Sequence, residues 1–171
     1  GGMFGGQAER CDISANEAQS GGGAAWSVLD RCAIESNIAS NDGGGACQST
    51  LLNCHVHENV SRGYGGGVSE SALRNCTVVG NTAWMIGGGV YYDNPNSVEN
   101  SIVYYNSALE DANWHGGSIA RSCTTPLPQW SYWNFETEPG IAGIANPRLL
   151  SDSPCIDQGA DADESGAFDI D

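Results

Sequence analysis

The side chains able to do chemistry gather in three stretches. In "CHVHEN", His55 and His57 flank Val56, and Glu58 follows them. Two imidazoles two residues apart point the same way on a strand and are placed to share a metal ion. No third ligand column is visible in the sequence, so a solvated strand face is the plainer reading. In "DADESGAFDID", Asp161, Asp163, Ser165, Asp169 and Asp171 alternate around Gly166. Oxygen donors at that spacing, with glycine at the turn, suit a calcium loop, although no glutamate closes it. A solvated acidic tail is the competing reading. The sequence requires no cofactor, and calcium is the one it points to. In "QWSYWNF", Trp130, Tyr132, Trp133 and Phe135 crowd together. Trp130, Tyr132 and Trp133 are candidate carbohydrate contacts. Covering the open end of a core is the alternative role.

Composition narrows the partners. The 171 residues suffice for one domain with a core, and the formal charge is −15. All six basic residues are arginine. Nucleic acid and anionic membranes are therefore not expected partners, because phosphate binding needs clustered cations. No apolar run approaches the roughly 18 residues of a membrane span. The chain opens on "GGMFGG", inside a repeat, and reads as excised from a longer precursor. Seven cysteines, an odd number, exclude a complete set of intramolecular disulfides.

A repeat must position these groups. Cys11, Cys32, Cys54 and Cys76 stand at spacings of 21, 22 and 22. Ser101 then takes the same slot, and Cys123 is read as following it. An asparagine stands five residues beyond each of the first five slots: Asn16, Asn37, Asn59, Asn81 and Asn106. Glycine triplets begin at Gly21, Gly43, Gly65 and Gly87. Apolar residues alternate at strand period in "CAI", "CHV" and "CTV". Further apolar columns run through Ala8, Leu29, Leu51, Leu73, Val98 and Ala120, and through Ala24, Ala46, Val68 and Val90. Internal periodicity of this length marks a solenoid. The expected fold is an all-β right-handed parallel β-helix of about five to six coils of ~22 residues, with rungs about 4.8 Å apart. Residues 1–125 form the coils and 126–171 an irregular C-terminal cap.

Within that frame the glycines mark a tight turn, and the asparagines an amide ladder at a corner. The cysteine column reads as buried thiols acting as small hydrophobes; disulfides between rungs, or a zinc or redox site, are the alternatives. Asn59 in "NVS" and Asn75 in "NCT" match the N-glycosylation sequon, and the ladder leaves Asn75 as the candidate acceptor.

The segments "ISAN", "IESN", "VHEN", "VVGN" and "VYYN" after glycine-rich turns resemble right-handed β-helix repeats of bacterial surface proteins, in the style of polymorphic outer-membrane proteins. The tail "NPRLLSDSPCIDQGADADESGAFDID" is similar to the end of β-helix proteins carrying the choice-of-anchor Q domain. The resemblance implies the fold and an extracellular or cell-surface location, but far less about activity.

Neither a lyase's basic residue beside carboxylates nor a glycosidase's paired carboxylates can be picked out. The expectation is a non-catalytic structural or adhesive module. Its partners would be surface polysaccharide or further copies of itself, joined end to end by stacking or strand addition. A carbohydrate-binding or polysaccharide-degrading β-helix protein is the alternative.

Overall fold

Short apolar–polar–apolar triplets broken every few residues by Gly, Asn, Ser or Arg favour a chain that turns often and pairs with its own next repeat. The computed structural model, which describes residues 1–94, 97–129 and 133–158, has that form. It is an all-β parallel solenoid of about five turns, consistent with the right-handed β-helix.

Four sheets make the walls. The first runs through Met3–Phe4, Ala24–Ala25, Ala46–Cys47, Val68–Ser69, Val90–Tyr91 and Trp114–His115. The second stacks Gln7–Glu9, Val28–Asp30, Thr50–Leu52, Ala72–Arg74, Ser97–Glu99 and Ser118–Ala120. The third stacks Asp12–Ser14, Ala33–Glu35, His55–His57, Thr77–Val79, Ile102–Tyr104 and Cys123–Thr124. A shorter fourth contains Glu17–Ser20, Ile38–Asp42, Val60–Ser61 and Thr82–Ala83.

Left-handed residues make the corners. In the second coil they are Gly21, Trp26, Arg31 and Ser36, with φ of 61°, 56°, 52° and 54°. Arg10, Arg31, Asn53 and Asn75 occupy one such corner on successive coils. Non-glycine residues are strained there, and Asn least so.

The triplet Gly43–Gly45 shows why glycine recurs. Gly43 has φ +64°; a Cβ on Gly44 would lie 2.6 Å from Val60 O; one on Gly45 would lie 2.7 Å from Gly67 O and 3.1 Å from Asn59 Cγ. Gly44 and Gly45 are thus required by the close passage of the next rung, and Gly43 by its left-handed turn. At the last turn Asp111, Ala112 and Asn113 replace the triplet, and no further rung lies beyond them among the described residues.

The apolar columns meet inside. Leu29, Leu51, Ile34, Val56, Val78 and Val103 are fully buried in one continuous core. Two registers differ from expectation. Val98 pairs with Ile119, so Ile119 and not Ala120 continues the leucine column. Cys123 pairs with Ile102, one place beyond the slot, and Ser122 fills it. The fifth interval is therefore 21 residues, and Cys123 faces outward into a second apolar cluster with Val79, Ile102 and Cys155.

That cluster explains the tail. An antiparallel pair, Ile141–Gly143 with Asn146–Leu149, lays Ile141, Ile144 and Leu149 against the outer side of the third sheet. At the end of the rod Phe135 bridges Cys123, Asn134 Nδ2 donates to Ile119 O at 2.7 Å, and Thr125 O and Pro126 O accept from Asn113 and Trp114. Among the described residues the C-terminal segment thus meets the end of the rod and also clamps its side.

Candidate functional site

Most residues singled out by their recurrence are absorbed in building the rod. The asparagine ladder forms as expected: Asn37, Asn59 and Asn81 are fully buried, and each backbone N–H donates to the next Oδ1 at 2.9–3.0 Å. Their amides also donate inward to Ile13 O, Ile34 O and Val56 O at 2.8 Å. Asn16 begins the ladder, and Asn106 passes it to Asn113, which the sequence pattern did not reveal. Asn113 occupies the triplet's third position, where a side chain points straight at the ladder.

The cysteine column acts as a hydrogen-bonding corner. The thiols of Cys11, Cys32, Cys54 and Cys76 donate to the carbonyl two residues earlier at 3.1–3.3 Å. Ser101 and Ser122 do the same at 2.8 and 2.7 Å, which accounts for the exchange of Ser for Cys. All seven cysteines are free, Cys11 exposed and the others buried. Burial pushes the Cys32 thiol up and takes Cys47 to about 11. The Cys54 thiol is raised by its hydrogen bond with Cys76 and by burial. These groups stay protonated at neutral pH and behave as packing. A third column, Ser27, Ser49 and Ser71, repeats the same bond and escaped the sequence reading.

Asn75 is only 1% exposed. Its Nδ2 donates to Asn53, whose own amide donates to Asp30, in a second, outer ladder. The folded chain therefore presents no open amide there for glycosylation. Of the aromatic candidates, Trp133 is 76% exposed, with the Arg121 guanidinium 5.4 Å from its ring centre. Trp130 and Tyr132 lie outside the described residues, as do the calcium candidates Asp161, Asp163, Ser165, Asp169 and Asp171.

Two lateral surfaces remain. One is a shallow groove of ≈ 460 Å³ along the corner between the first and second sheets, lined by Trp26, Gln48, Thr50, Glu70, Ala72 and Asn94 among others. Trp26, Gln48 and Glu70 occupy successive left-handed corners, so an exposed indole, an amide and a carboxylate follow one another at rung spacing. Asn94 Nδ2 and the Asp93 N–H both donate to Glu70, which fixes its carboxylate.

The other is the outer side of the third sheet, beside the tail. His57 is 3% exposed, against the expected solvated face. Pairing of His57 with Glu35 on the preceding rung brings Nε2 to 3.3 Å from Glu35 Oε2. Glu58, at the left-handed corner that follows, places Oε2 3.5 Å from Nδ1. The third acidic or imidazole partner missing from the linear sequence is thus supplied by the rung before. Burial holds His55 below the usual histidine range, with His57 and Arg148 adding to the effect.

No family model, curated protein or solved structure matches this chain.

Proposed function

We propose that this chain is a non-catalytic extracellular structural and adhesive module, of the kind its repeats and tail resemble among bacterial β-helix surface proteins. The observation that carries the reading is the use made of the recurring residues. Asn, Ser, Cys and Gly columns are spent on rung-to-rung hydrogen bonds and close passage, which stiffens the rod and fixes the spacing of whatever its sides display. Three of the arginines are paired as well: Arg31 with Asp30 at 2.9 Å, and Arg74 and Arg121 with Glu99 at 3.0 Å.

The test is a panel of acidic and neutral polysaccharides, assayed for retention of the protein and, separately, for released reducing ends or unsaturated products. Retention without cleavage is expected. Cleavage that disappears when one surface carboxylate is changed to its amide would overturn the non-catalytic reading.

A second reading, carbohydrate binding along the lateral groove, is favoured by Trp26, which is 59% exposed at the groove's edge. Sugar rings stack on such an indole, while Gln48 and Thr50 offer hydrogen bonds further along. Trp26→Ala is expected to abolish retention on the polysaccharide, and retention unchanged in that variant would exclude the groove.

A further inference from the structure

We propose that Glu35, His57 and Glu58 form a binding site for a divalent cation of the zinc type. The first observation is the buried Nδ1 of His57, which has no hydrogen-bond partner. Leaving such a group unpaired is costly, so a native fold rarely does it without reason.

The second is where the ring stands. A neutral imidazole has one N–H and one lone pair. With a carboxylate at each nitrogen, one lone pair must face a carboxylate oxygen, acceptor against acceptor. A positive charge between them relieves this. A second proton would do so, but charge-assisted N–H···O bonds close to about 2.7–2.9 Å. The separations of 3.3 and 3.5 Å are longer. A metal ion takes one nitrogen of the ring: at the unpartnered Nδ1, the 3.5 Å to Glu58 is close to the edge of a tetrahedron built on bonds of about 2.0–2.1 Å, roughly 3.3–3.4 Å, and Nε2–H then faces the Glu35 carboxylate.

Third, the donors converge. One ligand atom from each residue lies within 4.8 Å of the other two. The remaining gap falls to the glutamate side chains, which are 39% and 46% exposed and free to adjust, whereas the imidazole is held by burial. Two carboxylates neutralise a doubly charged cation. Imidazole nitrogen mixed with carboxylate oxygen suits zinc, while calcium and magnesium take oxygen alone. The exposed carboxylates leave a path for entry and a coordination position for water.

The site also stands apart from the scaffold. Along the same two columns the other rungs carry Ser14, Val79 and Tyr104, and Ala15, Ser36, Gly80 and Tyr105. Glutamate, histidine and glutamate meet at this junction between two rungs and are not part of the repeat.

The full chain, kept reduced, would be titrated with zinc chloride by calorimetry, and its three imidazoles followed by nitrogen–proton NMR correlation. Stoichiometric zinc is expected to shift the His57 signals. Glu35→Gln and Glu58→Gln are each expected to weaken binding at least about tenfold, the lower end of what even an outer ligand contributes. Both carboxylates reach solvent, so far-UV circular dichroism should be unchanged in the variants. His57 signals unmoved by zinc would overturn the site, and would mean that any zinc taken up sits on Cys11 or the acidic 161–171 stretch. Either variant binding zinc as tightly as the parent would overturn it too, leaving an imidazolium held between two carboxylates.

Discussion

Replacing Asn59 by alanine tests whether the asparagine ladder carries the stability of the rod. Asn59 Oδ1 accepts the backbone N–H of Asn37 and its Nδ2, both at 3.0 Å. Its own Nδ2 donates to Ile34 O at 2.8 Å and to Asn81 Oδ1 at 3.0 Å. Alanine leaves the Asn37 N–H buried without this acceptor, at about 1–3 kcal/mol, and removes two or more net bonds of about 1 kcal/mol each. The expected loss is about 3–5 kcal/mol. Asn16 is the control: it starts the ladder, is half-buried, and donates to Ser14 O and Asn37 Oδ1 without accepting a bond from a preceding rung. Asn16→Ala should cost only about 1 kcal/mol. Urea unfolding under reducing conditions, followed by circular dichroism, reads the difference as a midpoint shift at constant slope. Asn59→Asp sharpens the comparison, because it keeps an acceptor for Asn37 but turns oxygen towards Ile34 O and Asn81 Oδ1. It should destabilise at least as much as alanine at neutral pH. Equal midpoints for the Asn16 and Asn59 alanine variants would refute the reasoning.

Other consequences are as specific. Gly44→Ala drives a Cβ into Gly66 O and Val60 O and should lower the melting temperature sharply or prevent folding, whereas Gly143→Ala, with open space around it, should melt like the parent. Ile144→Asp should lift the tail from Val79 and Ile102, raising hydrogen exchange across 139–158 while the coils stay protected. Brief alkylation at pH 8 should modify Cys11 first and Cys47 only after unfolding, as read by peptide mass spectrometry. Burial raises Cys47 from its ordinary value near 9 to about 11, so between those pH values the unfolded chain has lost a proton that the folded chain retains. Stability should therefore fall as pH rises through that window, and Cys47→Ser should flatten the fall.

The ladder and the glycine track were legible because each depends on one residue type recurring at one coil's spacing, and Asn16 to Asn106 do recur. The cysteine slot was legible as far as Ser101. It was then misread at Cys123, because a coil one residue shorter puts Ser122 in the corner, and a serine carries no apolar signal. Asn113 was invisible for a related reason: it reaches the ladder from the glycine column, seven residues after Asn106.

The solenoid follows from the repeat alone, since a period near 22 with strand alternation has few other ways to bury its apolar columns. What lies on the outside is set by the way the coils stack. Whether His57 meets solvent or a carboxylate depends on Glu35, 22 residues earlier, and the tail's place along the third sheet depends on Val79 and Ile102 facing outward there. Rung-to-rung register joins residues a full coil apart, so neighbours across the stack leave no mark in the local pattern. The inner columns repeat because every rung repeats the same packing. The outer ones vary because each meets a different neighbour.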